Sequence, residues 1–171
     1  LDQRVTEILT RLRSRRLICS DETSARVNGQ QQWEWVFQNS EVCIHVIRPS
    51  RGQGVIQEVL GAHRPMIWVS DLYSAQQHHP AEDWQVCLAH QLRDCPLAIE
   101  AGDTLFAPRM KAILLRAFAM HQRRDTLATS TLYQYRGDLQ RRVDRCLASQ
   151  PTNAHGRRLH KRYAKMRDHL F

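Results

Sequence analysis

The stretch LICSD at residues 17–21 is a short apolar run that ends on an aspartate after a serine, and IWVSD at residues 67–71 repeats this pattern. Each run has the length and composition of a buried strand. Aspartate is a poor strand residue and is rarely buried without a partner, so its place at the end of both runs favours a chemical role. The purely structural alternative is that Asp21 and Asp71 each begin a turn.

The segments around these two runs predict a sheet. A helix is predicted over residues 2–13, and strands over residues 16–21, 32–38, 42–47 and 66–70, the last reached through a short helix that ends at Gly61. Three strands joined by short polar turns form an antiparallel meander, and a strand reached through a helical crossover is usually parallel to its neighbour. We therefore expect Asp21 and Asp71 side by side at the carboxyl ends of two parallel strands, where open α/β sheets bind ligands.

Everything from Pro80 onward is predicted to be helical. Three apolar stripes at helical spacing begin at Leu105, Leu132 and Leu159. The whole chain of 171 residues, with 42% hydrophobic residues, is long and apolar enough for a packed core. The pattern predicts an α/β fold in which a mainly helical segment follows the fourth strand.

Charge is divided unevenly along the chain. Residues 1–100 carry ten Lys and Arg against twelve Asp and Glu, and residues 101–171 carry fifteen against five, so the two parts have net charges of −2 and +10. Of the 25 cations, 22 are arginine, whose planar guanidinium suits phosphate. A basic part beside a nearly neutral part predicts a polyanionic partner, most simply DNA. A solvated basic helical surface is the alternative.

The remaining composition limits the class of protein. No apolar stretch approaches the roughly 18 residues of a membrane span, so we expect no membrane partner. Five widely spaced cysteines, an odd number in a chain of this size, favour reduced thiols in a cytoplasm. The chain opens on Leu1 and closes on an apolar, helical-looking end, so we expect it to be a piece of a longer protein.

Paired carboxylates at adjacent strand ends suit divalent metal ions. Mg²⁺ prefers hard oxygen ligands, and two ions about 3.5–4 Å apart stabilise both the attacking and the leaving oxygen of a phosphodiester. The predicted order of strand, strand, strand, helix and strand is the opening of an RNase H-like fold. The sequence therefore indicates a metal site at Asp21 and Asp71.

Four motifs sharpen this interpretation. They are SDETSARV at 20–27, WxWVF at 33–37, VSDxY at 69–73 and CLAHQLR at 87–93. In order and approximate spacing they resemble the central catalytic domain of the insertion sequence 66 family of DDE transposases, from about residue 16 to the end. The resemblance implies an RNase H-like fold, with Asp21 as the first catalytic aspartate and Asp71 as the second.

The chain departs from the family's pattern in two places. Leu72 stands where a glycine usually follows the second aspartate. In addition, the glutamate that serves as third acid, within an asparagine-rich motif, has no counterpart between Asp71 and Phe171. We therefore expect that the third acid lies beyond this chain and that the 171 residues are inactive in strand transfer on their own.

Cys87 and His90 match the C-x-x-H signature that the family places between the second and third acids. Their spacing puts both on one helical face, from which they could shape the site. A packed cysteine and histidine without a direct role is an equal alternative, and half of a zinc site completed by Cys95 or by His78 and His79 is a further one. The four tryptophans are predicted to be core residues rather than base-stacking ones.

The predicted DNA-binding surface consists of cations beside the three apolar stripes. They are Arg123, Arg124, Arg136, Arg141, Arg142, Arg145, Arg157, Arg158, Lys161, Arg162, Lys165 and Arg167. Contacts with the phosphate backbone are expected rather than base readout. By resemblance, the partners are transposon ends and target DNA, and the intact protein is expected to form a homo-oligomer on DNA in the bacterial cytoplasm, at the nucleoid.

These observations lead to one interpretation with two rivals. Residues 1–14 are expected to be a helix that continues from an upstream region, residues 15–100 the first part of an RNase H-like core, and residues 101–171 a basic helical insertion. The implied reaction is two-metal phosphoryl transfer with two Mg²⁺ or Mn²⁺ ions, in which water cleaves the element's end and the freed 3′-hydroxyl attacks target DNA. The rivals are an RNase H-like nuclease or resolvase, and a DNA-binding remnant without chemistry.

Overall fold

The computed structural model describes residues 2–77 and 79–171, which divide into two compact units. The first unit ends at Val86 and the second begins at Cys87. The basic helical segment was predicted to begin later, at residue 101. The division of roles between the segments of the chain stays a prediction.

The first unit is an α/β unit with a mixed sheet. In chain order it contains α1 (Gln3–Arg13), β1 (Leu17–Val27), β2 (Gln30–Gln38), β3 (Cys43–Arg48), α2 (Gly54–Leu60), β4 (Ile67–Ser70), α3 (Ser74–Gln77) and β5 (Asp83–Val86). The strand order is β3-β2-β1-β4-β5. Strands β1, β2 and β3 pair antiparallel, whereas β4 pairs parallel to both β1 and β5. This confirms the predicted RNase H-like α/β fold.

A tight turn joins the two longest strands. Asn28 and Gly29 both have positive φ, 50° and 77°, between the paired residues Val27 and Gln30. Such turns match the twist of an antiparallel pair, and asparagine and glycine are the residues that adopt this conformation at least cost. The turn sets the register in which Glu22 lies opposite Trp35.

Aromatic side chains form much of the core of the first unit. Trp35, Phe37 and Trp68 are fully buried, and the rings of Trp35 and Phe37 stack with centroids 6.2 Å apart. Large apolar side chains contribute about 1.5–3 kcal/mol each when removed from water. Trp33 and Trp84 pack against this core while partly buried. The prediction that the tryptophans are core residues is confirmed for Trp35 and Trp68.

Two predictions about strands were wrong. β1 does not end at Asp21 but continues to Val27, because β2 goes on pairing with it after β4 has stopped at Ser70. The chain after Pro80 is not helical throughout, since β5 (Asp83–Val86) forms a parallel edge strand in which Trp84 pairs with Trp68. Four residues at the edge of a sheet are too few to produce a readable alternation, so the strand depends on the neighbouring β4.

The second unit is helical. It contains α4 (Leu88–Glu100), α5 (Phe106–Gln122), α6 (Thr129–Leu147) and α7 (Ala154–Lys165), with short 3-10 turns at Arg124–Thr126 and Arg167–His169. The three predicted apolar stripes supply buried residues to α5, α6, α7 and the chain that follows α7. None of the helices that the structure describes is long and apolar enough to cross a membrane.

Candidate active site

The pairing of β1 with β4 brings Asp21 and Asp71 to one edge of the sheet. Leu17 pairs with Ile67, Ile18 with Trp68 and Cys19 with Val69, a constant offset along the chain that Asp21 and Asp71 share. Asp71 follows the last residue of β4, and Asp21 lies in β1 just beyond the parallel pairing. Both aspartates therefore occupy the position at which the two parallel strands part.

Three carboxylates cluster at this edge. One ligand oxygen from each of Asp21, Glu22 and Asp71 lies within 4.8 Å of the other two. Asp21 is exposed and Asp71 is half-buried. Among the residues the structure describes, no other group of three or more Asp, Glu, His or Cys side chains lies close enough together to share a metal ion. Carboxylate oxygens are the hard donors that Mg²⁺ and Mn²⁺ prefer.

Local hydrogen bonds orient the two aspartates. The backbone N–H of Glu22 donates to Oδ1 of Asp21 over 2.9 Å, and the backbone N–H of Tyr73 donates to Oδ1 of Asp71 over 2.8 Å. Among the described non-glycine residues, only Asn28 has a positive φ. Leu72 therefore adopts a backbone conformation that is open to any residue. The replacement of the family's usual glycine by Leu72 therefore demands no backbone strain beside Asp71.

Glu22 also belongs to the cluster, although the sequence analysis named Asp21 and Asp71 alone as metal ligands. As the residue after Asp21 in β1, Glu22 points to the opposite face of the strand, and its side chain is completely buried. Glu22 points to the core face of the sheet. Because β4 has ended at this point, no strand lies between the carboxylates of Glu22 and Asp71. The sequence signal for its place in the cluster is that a second acidic residue directly follows Asp21.

Burial raises the pKa of Glu22, and the nearby Asp71 charge adds to this effect. Hydrogen bonds from Gln76 and Arg51 oppose the increase without cancelling it. Nε2 of Gln76, itself fully buried, donates to Oε2 of Glu22 over 2.5 Å. Nε and Nη2 of Arg51 both donate to Oε1, over 3.0 and 2.8 Å. Both oxygens of Glu22 are therefore engaged by the protein.

Arg51 is held between two aromatic rings. Its guanidinium carbon lies 3.9 Å from the ring centroid of Tyr73 and 4.5 Å from that of Trp33. Trp33 comes from β2, Tyr73 follows β4, and Arg51 itself follows β3. Stacking of this kind fixes the plane of a guanidinium and contributes about 0.5–1 kcal/mol per ring at exposed sites. The arginine is thus positioned by several strands at once.

Comparison with known protein families decides the class of protein. A family model described as Transposase IS66 family matches residues 1–169. The chain belongs to this family. Comparison with the curated proteins and with the solved structures gives no significant match. For this IS66-family chain, the resemblance carried by the four sequence motifs is confirmed.

Cys87 and His90 of the IS66-family chain lie at the start of α4. Cys87 occupies the N-cap position, His90 is in the first turn, and both are half-buried. Cys95, a proposed zinc partner, is buried and donates to the backbone oxygen of Gln91 over 3.5 Å. No third ligand joins Cys87 and His90 among residues 2–77 and 79–171, and His78 lies outside the described residues. Their role in shaping the site stays a prediction.

The predicted DNA-binding cations fall into two groups. Arg124, Arg141, Arg142, Arg162 and Arg167 form ion pairs with neighbouring aspartates. No ion pair within the described part of the chain engages Arg123, Arg136, Arg145, Arg157, Arg158, Lys161 or Lys165. Apart from Arg136, whose Nε donates to the backbone oxygen of Phe171 over 3.1 Å, the second group has its charge more fully available to a phosphate.

An arginine-lined groove runs between α5 and α6. Arg109, Arg116, Arg142 and Arg145 line it, with a volume of about 610 Å³. Asp138 lies within ion-pair distance of Arg116 and Arg142, which leaves the lining with a net positive charge. Sequence reasoning missed Arg109 and Arg116, because they lie beside the apolar stripe of α5 rather than in a run of cations. We call the surface lined by these four arginines the α5–α6 groove.

Proposed function

We propose that this IS66-family chain carries the metal-binding part of a transposase active site, in which Asp21 and Asp71 hold divalent metal ions for cleavage and joining of DNA. The observation that carries the proposal is the approach of their carboxylate oxygens to within 4.8 Å where β1 and β4 part. This spacing is compatible with two ions about 3.5–4 Å apart. Family membership supplies the reaction class.

The donor set supports a hard cation. Carboxylates are the ligands that Mg²⁺ and Mn²⁺ prefer, and Asp21 is open to solvent so that a phosphate can approach. The amide oxygen of Gln76 is buried and accepts no hydrogen bond from the described residues, which leaves an unused acceptor beside Glu22. When bound, two such ions supply charge stabilisation for the attacking and leaving oxygens of a phosphodiester.

The chain's own residues would perform distinct tasks. The N–H of Tyr73 would hold Asp71 in place and the N–H of Glu22 would hold Asp21, so that both carboxylates face a cation in a fixed orientation. The cations of the helical unit would hold the DNA backbone through phosphate contacts. The asparagine-rich motif of the third acid does not occur after Asp71, so we propose that these 171 residues alone do not catalyse strand transfer.

Metal binding tests the proposal directly. Isothermal titration with Mn²⁺ should show binding to the unaltered chain, and Asp21→Asn or Asp71→Asn should each weaken it by at least about tenfold, since each removes a charged ligand. Asp125→Asn is the matched control, because Asp125 is highly exposed and lies outside the cluster. Equal affinities for the unaltered chain and both site variants would contradict the proposal, and measurable strand transfer by the isolated chain would contradict its last part.

A further inference from the structure

Arg51 stands beside the three carboxylates with one end anchored and the other open. Nε and Nη2 donate to Glu22, and within the described residues nothing accepts a hydrogen bond from Nη1. The side chain of Arg51 remains 37% exposed, whereas that of Glu22 is fully buried. The guanidinium is therefore fixed on one edge and presents an unused donor to solvent.

We propose that Arg51 binds a DNA phosphate at the acidic cluster, and that Glu22 is a positioning residue that holds Arg51 there rather than a metal ligand. Both oxygens of Glu22 already accept hydrogen bonds, one from Gln76 and the other from Arg51. A ligand role would require Glu22 to give up at least part of this network. Oδ1 of Asp71 accepts a hydrogen bond from the backbone of Tyr73, and Asp21 is exposed to solvent, so these two carboxylates are more accessible to a cation than the fully buried Glu22.

The surroundings of Arg51 explain why an arginine stands at this place. A cluster of three carboxylates repels a phosphodiester, and a fixed cation at its edge offsets that repulsion. Arg51 is rigid because Tyr73 and Trp33 sandwich it, so little side-chain entropy is lost when a phosphate oxygen accepts its hydrogen bond. A planar guanidinium can hold a carboxylate on one edge and a phosphate on the other.

Arg48 provides a matched comparison. It lies three positions earlier in the chain and makes an equivalent pair with a glutamate, Glu58, through Nε and Nη2. Its side chain and that of Glu58 are 41% and 50% exposed, and no aromatic ring of the described residues lies over its guanidinium. Arg48→Ala therefore removes the same charge and the same kind of ion pair from outside the cluster.

This inference rests on the proposed function, so the experiment separates the two. Affinity for a short DNA duplex would be measured by fluorescence anisotropy in Ca²⁺ and in a chelator, for the unaltered chain, Arg51→Ala and Arg48→Ala. Mn²⁺ affinity would be measured in parallel. We expect Arg51→Ala to weaken DNA binding in Ca²⁺ about fivefold to tenfold and to lower the salt slope by about 1, with Mn²⁺ affinity within about twofold of the original. Arg48→Ala should leave both unchanged.

Two further variants keep the test decisive. Arg51→Lys retains the charge without the planar fork and should lose about threefold in DNA affinity, even if Arg51→Ala is poorly folded. Glu22→Gln should weaken DNA binding in the same direction while Mn²⁺ binding persists. DNA affinities equal to the original for both Arg51 variants, or an equal loss in Arg48→Ala, overturn the inference. Loss of Mn²⁺ affinity in Glu22→Gln to the extent seen in Asp21→Asn overturns the assignment of Glu22. Absent Mn²⁺ binding in the unaltered chain instead overturns the proposed function.

Discussion

Asp21 and Asp71 are separated along the chain by the same offset that pairs β1 with β4, so the parallel register itself sets one beside the other. A shift of the register by one residue would move one of the two side chains to the other face of the sheet. The buried pair of Ile18 and Trp68 opposes such a shift, because both side chains are fully buried. Packing several residues away thereby positions the carboxylates.

The proposal that Asp21 and Asp71 share metal ions predicts that the effects of their substitutions on Mn²⁺ binding are not additive. If both hold the same pair of ions, the double variant Asp21→Asn with Asp71→Asn should bind Mn²⁺ only slightly more weakly than either single variant, as residues that act together do. Titration calorimetry of the four proteins checks this. Losses that add in full would show that the two aspartates bind separate ions.

Charge reversal in the α5–α6 groove should weaken DNA binding. Arg109→Glu combined with Arg145→Glu removes two cations that line one groove, so we expect a loss of at least about tenfold at moderate salt and a salt slope lower by about 2. Anisotropy over a range of salt concentrations measures both quantities. Arg4→Glu combined with Arg11→Glu, at two exposed positions of α1, changes the net charge by the same amount and should have little effect. A similar loss in both proteins would indicate a response to net charge alone.

Asp103 should be the most sensitive position for stability in the helical unit. It is buried, and its carboxylate accepts hydrogen bonds from the backbone of Phe106 and Ala107 at the start of α5 and from Thr152. Asp103→Ala leaves these donors unpaired and should cost about 2–4 kcal/mol in free energy of unfolding. Denaturant unfolding measures the change. A cost below about 1 kcal/mol would show that water replaces the carboxylate.

The Asp103 carboxylate also leaves no room for a methyl group at Gly156. A Cβ at Gly156 would lie 2.2 Å from Oδ2 of Asp103, which no side chain tolerates without movement. Gly156→Ala should therefore destabilise the protein by about 1–3 kcal/mol. Gly137→Ala is the control, because its Cβ would meet only the flexible end of Arg141 and alanine favours a helix, so a gain of up to about 1 kcal/mol is expected. Thermal unfolding of the two variants compares the outcomes.

The lowered pKa of His79 predicts that the protein loses stability in mild acid. Burial lowers its pKa to about 4, with contributions from the nearby His63 and Arg64, and neither ring nitrogen has a hydrogen-bond partner among the described residues. Because the folded pKa lies below the unfolded value of about 6.5, the unfolded chain binds more protons between these pH values. The stabilisation is fully present above about pH 6.5 and declines as the pH falls towards 4.

Unfolding in denaturant at a series of pH values measures this decline. We expect a total loss of about 2 kcal/mol from His79, after allowance for partial screening by solvent. His79→Phe keeps the contact with the Trp68 ring, whose centroid lies 4.6 Å away, and removes the titrating group. The variant should show a flatter pH profile over this range. An unchanged slope would assign the acid sensitivity to other groups.

The sequence alone determined the class of fold, the antiparallel meander, the helical stripes and the approach of Asp21 to Asp71. Those features depend on local periodicity, turn residues such as Asn28 and Gly29, and motif order, all of which can be read along the chain. The tertiary structure alone decided the burial of Glu22, the edge strand β5 and the placement of Arg51 between Trp33 and Tyr73. These three features depend on contacts between residues that are far apart in the sequence. The position at which β4 ends decides which side chains meet beside β1, and no local sequence pattern encodes that position.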